Sequence, residues 1–260
     1  MSEVALRDIA GHLDDYLRIR EIPDAPNAVN GLQVENGGTV TRIVAAVDAS
    51  LATIEAATAG DGRTLVLVHH GLFWDGNVPA TGRRYRRLRA LIAADAALYS
   101  AHIPLDVHPD VGNNMVLAER LGLVVDGWFG DYRGVALGVR GHAPPPLSQR
   151  SLLLREIERA LGVEAEAIHL VPGGPDRPGR IGIVTGAGGS MIAEARDAGL
   201  DTLITGEGPH HTYFDAMEWG LNVIYAGHYA TETLGVQALA SHLADRFDLP
   251  WEFHDHPTGL

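Results

Sequence analysis

Thirteen of the 260 residues are histidine, and most of them fall in a few clusters. His69 and His70 directly follow the apolar run Thr64-Leu-Val-Leu-Val68, and the carboxyl end of such a strand is where an open α/β sheet places its ligand site. Adjacent strand residues point to opposite faces, so two neighbouring imidazoles can serve two positions, such as two metals. The plainer alternative is a solvated or hydrogen-bonded pair at a strand end. In Ala101-His-Ile-Pro-Leu-Asp106, the carboxylate of Asp106 offers a hard oxygen donor behind another strand, unless Asp106 and Asn113 serve only turns and helix caps. His102 reads as a core or supporting group as readily as a ligand. In Ala226-Gly-His-Tyr-Ala-Thr-Glu232, His228 and Glu232 stand four residues apart, which on one helical turn brings imidazole and carboxylate to the same face. A helix-start acid favoured by the dipole, beside a capping histidine, would show the same spacing.

His69, His70, Asp106, His228 and Glu232 are five nitrogen and oxygen donors at the ends of three apolar strands. A catalytic zinc normally takes three protein ligands, so five suit a pair of divalent ions with one carboxylate bridging them. Such pairs, roughly 3.5–4 Å apart, activate a water and polarise the bond it attacks. The absence of cysteine removes thiolate metal sites, disulfides and a cysteine nucleophile, leaving any metal to His, Asp and Glu. Imidazole and carboxylate donors suit zinc, iron, manganese, cobalt or nickel. All 20 cationic residues are arginine, which rules out Schiff-base chemistry and a lysine-dependent phosphate loop. A net charge of −13 argues against nucleic acid or an anionic membrane as a main partner.

Other residues are open to two readings. Glu207, His210 and His211 either support the site as proton-transfer or substrate-binding groups, worth roughly 10²–10⁴-fold for a well-placed base, or are polar residues at a helix start. Gly186-Ala-Gly-Gly-Ser190 is either a phosphate cradle or a tight strand-to-helix turn, and it fits neither the dinucleotide nor the P-loop pattern. Phe73 and Trp74 could stack on a base or wall a cleft. The run Arg83-Arg-Tyr-Arg-Arg87 with Arg89 is the dense cationic segment, suited to an anionic substrate, to salt bridges between subunits or to a solvated face. His254 and His256 match no metal motif.

The elements that must position these groups follow an α/β pattern. Leu6, Ile9, Leu13, Tyr16 and Leu17 recur at helical spacing and predict an opening amphipathic helix. From Thr41 on, β-branched runs alternate with helical segments. Strands are predicted at 42–47, 64–68 and 98–103, helices over 83–97 and 113–121, and a further strand at 134–139. Pro144, Pro145 and Pro146 break the chain before a helix carrying Leu152, Leu153, Ile157, Ala160 and Leu161, and mark a possible lobe boundary. After the Gly- and Pro-rich loop 172–179, strands are predicted at 180–185, 201–205 and 222–226. The last leads into a helix through Leu234, Val236, Leu239 and Leu243. The second half echoes the first, as a duplicated α/β unit would. No apolar run reaches the roughly 18 residues of a membrane span, and the first twenty residues lack the basic start and apolar middle of a secretory signal, so a cytoplasmic protein is expected.

Four stretches resemble the NIF-three-like dinuclear-metal proteins, the GTP cyclohydrolase 1 type 2 homologues. They are Val68-His-His-Gly-Leu-Phe-Trp74, His102-Ile-Pro-Leu-Asp106 with Gly112-Asn-Asn114, Thr205-Gly-Glu-Gly-Pro-His-His211, and Gly227-His-Tyr-Ala-Thr-Glu232 with Gly235-Val. The resemblance spans the chain from the first helix to Leu243. It implies an α/β fold of two similar lobes facing each other across a cleft that holds a dinuclear metal site, and a ring-shaped homohexamer. Residues 1–125 with 226–260 would form lobe one and its closing segment, and residues 126–225 lobe two, without the extra domain of longer members. It further implies two divalent ions per chain, with His69 and His228 as ligands of one, His70 and Asp106 of the other, and Glu232 bridging. The implied activity is a metal-dependent hydrolase opening the ring of GTP. A phosphoester hydrolase would use the same metals, and a non-catalytic metal-binding scaffold would need only to hold them.

Overall fold

The computed structural model describes residues 2–259. The chain is a mixed α/β protein that divides into two compact units, one of residues up to Leu105 with Val236–His256, the other of Asp106–Gly235 with the closing residues from Pro257. In chain order the first unit holds β1 (Val4–Ala5), α1 (Leu6–Tyr16), β2 (Gly31–Val34), β3 (Thr39–Val40), β4 (Arg42–Asp48), α2 (Leu51–Ala57), β5 (Thr64–His70), α3 (Gly82–Ala93) and β6 (Ala97–Ser100). A single turn, α4 (Ile103–Asp106), leads out of it. The second unit then holds α5 (Asn113–Arg120), β7 (Val124–Tyr132), β8 (Val135–His142), α6 (Arg150–Leu161), β9 (His169–Pro172), β10 (Arg180–Val184), α7 (Ile192–Asp197), β11 (Thr202–Thr205), α8 (Thr212–Trp219), β12 (Asn222–Tyr225) and α9 (His228–Thr231). Helix α10 (Thr233–Phe247) and β13 (Trp251–Phe253) return the chain to the first unit.

The first unit's sheet has the order β13-β4-β5-β6-β2, and only β2 runs antiparallel to its neighbour. Strands β4 and β5 are buried along nearly their whole length, which is why they read as unbroken apolar runs rather than alternating ones. Val44, Val66, Val68 and Leu98 pack with Ile54 of α2 and Leu91 of α3. Helix α2 starts where the Oγ of Ser50 accepts the Thr53 N–H at 3.0 Å, a side-chain cap.

The second unit's sheet has the order β7-β8-β10-β11-β12-β9, with β10, β11 and β12 parallel. Its faces separate with a period of two. Ile181, Ile183, Ile204 and Ile224 pack with Leu117, Leu153 and Ile157, whereas Val184, Leu203 and Val223 pack with Ile192 and Ala216.

Three boundaries differ from the sequence expectation. Helix α3 ends at Ala93 rather than 97, because Asp95 takes a left-handed conformation, φ 49°, and the Ala96 N–H closes back on the Leu91 carbonyl at 3.0 Å. Strand β6 therefore starts at Ala97 and stops at Ser100, and Ile103–Asp106 is a helical turn, not strand. Strand β8 begins at Val135 and continues to His142, because Arg133 and Gly134, both at positive φ, make a two-residue hairpin turn from β7. No helix among the described residues is long and apolar enough to cross a membrane.

Candidate metal centre

In the first unit three parallel strands end side by side, and each end contributes to one group. Strand β5 ends in His69 and His70, β4 ends in Asp48 in register with His70, and β6 leads through Ala101 to His102. His69 is fully buried, with Nδ1 2.8 Å from the Ala101 carbonyl. A carbonyl only accepts, so this contact puts the ring proton on Nδ1 and leaves a lone pair on Nε2. His70 Nδ1 lies 2.9 Å from Asp48 Oδ1, and His102 Nδ1 lies 2.9 Å from Asp24 Oδ1. Asp24 also accepts from Asn30 Nδ2 at 2.8 Å and from the N–H groups of Ala25 and Ile103. Burial alone would raise its carboxyl, but the bonds from His102, Asn30 and Ala25 hold it below its ordinary value. The three imidazoles are 4.7–5.6 Å apart between ring centres. Each offers a nitrogen within 4.8 Å of the other two, a group that could hold a metal ion. Trp74, partly exposed, stands edge-on to His102 at 4.8 Å and to His70 at 5.9 Å.

The second unit brings its groups together after β10, β11 and β12. His228 opens α9 and Glu232 follows its last residue, and their i, i+4 spacing places His228 Nε2 3.2 Å from Glu232 Oε2. The other ring nitrogen, Nδ1, is 2.8 Å from Glu207 Oε1. Hydrogen bonding to Glu232, against the opposing effect of burial and with further help from Glu207, pushes the His228 imidazole up to about 9. The site thus favours positive charge between imidazole and carboxylate.

Glu232 is 3% exposed, and glycine makes room for it. Gly186 follows β10 at φ 63°, where a Cβ would overlap the Glu232 carboxylate. Gly206 follows β11, where a Cβ would press on the Gly186 carbonyl and on the His228 Cα. The N–H groups of Gly206 and Glu207 both donate to the Gly186 carbonyl at 2.9 Å, and Gly186 N–H donates to Thr231 Oγ1 at 3.0 Å.

Asp106 also lies in the second unit. Its Oδ1 accepts from Asn113 Nδ2 at 2.8 Å and from Thr185 Oγ1 at 3.4 Å. Asn113 Oδ1 accepts the Gly235 N–H at 2.6 Å, and Asn114 ties the Asp106 and Leu137 carbonyls to the Thr185 N–H. Asn113 is therefore not a helix cap: α5 is preceded by Gly112, and no side chain caps it.

The other sequence candidates separate. Gly186–Ser190 forms a tight turn into a short 3₁₀ segment, and the Gly189 N–H is taken by the Glu207 carbonyl. Glu207 reaches His228, while His210 and His211 are exposed and, among the described residues, make no hydrogen bond to His228 or Glu232. Arg84 is buried, bonded to the Asp75 carboxylate and to the carbonyls of Gly76 and Val78, so it belongs to the fold rather than to a solvated face.

Sequence reasoning passed over Asp24 and Asp48, and read Gly186 as part of a turn without the room it leaves for Glu232. Asp48 had a readable signal, since it ends the apolar run next to the one ending in His70. Asp24 sits between two prolines with no periodicity to mark it.

Comparison with known proteins gives the family of the whole chain. A family model for Duf34/NIF3 (NGG1p interacting factor 3) matches residues 4–258. The chain belongs to this family. It is 46% identical over 259 residues to a GTP cyclohydrolase 1 type 2 homolog of Deinococcus radiodurans, covering 99% of this chain and 95% of that one. It is 42% identical to a protein of the same name from Halobacterium salinarum, covering 97% and 98%. Among solved NIF3-like folds, TTHA1606 of Thermus thermophilus superposes with a TM-score of 0.88 at 41% identity, covering 99% of this chain and 100% of that one. The protein ybgI, described as of unknown function, superposes at 0.89 with 36% identity and the same coverage.

Proposed function

We propose that this NIF3-family protein is a metal-dependent hydrolase acting on a nucleotide-like substrate, with GTP ring opening as the reaction to test first. The observation that carries the reading is that four imidazoles share one arrangement. His69, His70, His102 and His228 each have Nδ1 against a carbonyl or carboxylate oxygen. Metal-ligating histidines are characteristically oriented this way, the partner fixing the tautomer and the ring so that Nε2 faces the ion. The buried Glu232 and the hard oxygens of Asp106 complete a nitrogen and oxygen donor set of the kind divalent transition metals take.

In this reading the two units are similar α/β lobes facing each other across a cleft, in a ring-shaped homohexamer. His69 and His228 would hold one divalent ion and His70 and Asp106 the other, with Glu232 supplying the remaining carboxylate. Bound there, such a pair would acidify water and polarise the bond under attack. The chain's own residues do the positioning: Asp48 and Glu207 orient their imidazoles, Asn113 and Thr185 orient Asp106, and Gly186 leaves the space that Glu232 fills. His102, held by Asp24, either supports His69 and His70 or joins them as a ligand. Exposed His210 and His211 are the candidates for substrate contact and proton transfer. The names of the relatives favour GTP as the first substrate to try.

Elemental analysis of untagged, chelator-free protein, with GTP consumption assayed on the same samples, tests the reading. About two metals per chain in the wild type, a clear loss in Glu232→Ala, and GTP loss that follows metal content are expected. Two metals with no turnover of GTP or of a phosphoester panel, and with Glu232→Ala disturbing assembly only, would replace the hydrolase with a metal-holding scaffold. A wild type that stays metal-free after reconstitution would remove the metal site itself.

A further inference from the structure

Within the first unit, one half-buried side chain joins the two stretches of backbone that carry His70 and His102. Gln33 lies on the edge strand β2, whose pairing with β6 shifts register between Leu32 and Val34. It is the odd residue of a bulge, and bulges beside functional sites re-aim a side chain. Its amide reaches the turn that follows β5, where Oε1 accepts the Leu72 N–H at 2.7 Å, two residues beyond His70. Nε2 donates to the Val29 carbonyl at 2.9 Å and to the Ala28 carbonyl at 3.1 Å. All three bonds call for the same orientation of the amide, since a carbonyl only accepts and an N–H only donates. The backbone on either side is shaped around it. Val29 turns at φ 46°, where a β-branched residue is rarely found. A Cβ at position 71 would stand 2.3–2.6 Å from the amide atoms of Gln33, and Gly71 is not among the glycines at positive φ, so glycine there provides space rather than conformation.

The loop that Gln33 grips is the one that fixes His102. Asp24 takes the His102 ring and the Ile103 N–H, and Asn30 Oδ1 accepts the His102 N–H at 2.8 Å. Asn27 Nδ2 donates to the Trp74 carbonyl at 3.4 Å. The segment from Asp24 to Gln33 is thus bonded to the backbone after β5 on one side and after β6 on the other. A strained residue persists only where its surroundings over-determine it, and such residues cluster at functional sites. Val29 is held in this way by the bond from Gln33 to its carbonyl. We propose that Gln33 is a positioning residue: by joining the 24–30 loop to the Leu72 turn it sets the separation of His70 and His102, and through it the affinity for metal. The inference rests on the metal site proposed above.

Amide hydrogen exchange on the metal-free, full-length protein, followed by Co²⁺ titration of the same samples against a chelator, tests it. Gln33→Ala is expected to speed exchange at Leu72, which loses its bond outright, and also at His102 and Ile103, whose N–H groups are held by Asn30 and Asp24 instead. It should weaken Co²⁺ binding by about 10-fold and alter the visible absorption of the bound ion, which reports ligand geometry. Gln33→Glu, whose carboxylate still accepts from Leu72 but gives nothing to the two carbonyls, should fall between. Asn36→Ala is the control, because the Asn36 amide also ties backbone together, accepting from Gly38 and donating to the Thr39 and Asp95 carbonyls, none of them in the histidine group. That variant should lower the melting temperature comparably and leave Co²⁺ affinity and absorption unchanged. Gly71→Ala should lose as much Co²⁺ affinity as Gln33→Ala and add little when combined with it, since the obstructing amide is then gone. If the wild type takes up no Co²⁺, the metal reading falls, and faster exchange at His102 and Ile103 in Gln33→Ala still upholds the positioning role. Unchanged exchange there in a folded Gln33→Ala, or a Co²⁺ affinity lowered no more than in Asn36→Ala, overturns the assignment.

Discussion

In the first unit, each site imidazole is fixed by a partner delivered from another stretch of chain: the Ala101 carbonyl for His69, Asp48 for His70 and Asp24 for His102. In the second unit the demanding element is space. The buried Glu232 lies against backbone that only glycine at 186 leaves open, and Gly206 does the same for the backbone of His228. The first arrangement is built from side-chain hydrogen bonds, each worth a modest amount and each removable alone. The second is built from excluded volume, which fails all at once because overlap with a buried group forces backbone or rotamer shifts. The two halves should therefore respond to substitution on different scales.

The largest effect is expected from Gly186→Ala. Its new Cβ meets the Glu232 carboxylate, and its φ of 63° is strained for any L side chain. A loss of about 2–4 kcal/mol in urea unfolding is expected, together with loss of bound metal. Gly220→Ala is the matched control, since φ there is 70° but a Cβ meets nothing within 4 Å. That variant should lose about 1 kcal/mol and keep its metal. Equal losses in the two variants would show that backbone conformation, not the room reserved for Glu232, sets the requirement at 186.

A smaller effect, on metal affinity rather than stability, should separate the anchors. Asp48→Asn and Asp24→Asn keep shape but remove the charge that holds the Nδ1 proton. Each is expected to weaken metal binding by about 10- to 100-fold in chelator competition. Glu207 plays the matching part for His228, but its side chain is 51% exposed, so solvent screens its charge and Glu207→Gln should cost only a few-fold. A loss at Glu207 as large as at Asp48 would mean that the two units rely on their anchors equally.

This contrast also explains how far the sequence could be read. Apolar runs such as 42–47, 64–68 and 180–185 are buried on both faces, so composition alone marks them as strands. The i, i+4 pair His228 and Glu232 was readable because a helical turn fixes its geometry locally. Strand β7 was not readable, because Gly127, Gly130 and two acids interrupt a strand that is largely open to solvent. The anchors resisted for another reason: Asp24 is 78 residues from His102, and nothing local in a carboxylate shows which distant imidazole it will meet. The role of Gly186 depends on a buried carboxylate far along the chain, so the sequence showed a turn there and not what the turn accommodates.

The smallest effect comes from a histidine pair in the first unit that uses neither device. His12 on α1 and His242 on α10 meet Nε2 to Nε2 at 2.8 Å, with the Tyr16 ring stacked 4.1 Å from His242. One nitrogen must donate and the other accept, so the contact tolerates one proton but not two. Burial foremost, then the charges of Arg246 and His242, hold the His12 imidazole below 6.5, with Asp15 acting in the opposite sense. A histidine whose folded value is depressed contributes stability that is fully present above 6.5 and is lost as pH falls through the folded value, because the unfolded chain takes the proton first. Between about pH 7.5 and pH 5.5, the melting temperature of the wild type should therefore fall more steeply than that of His12→Gln, by a margin smaller than either effect above. Parallel slopes would mean that the pair reorganises without cost when it is protonated.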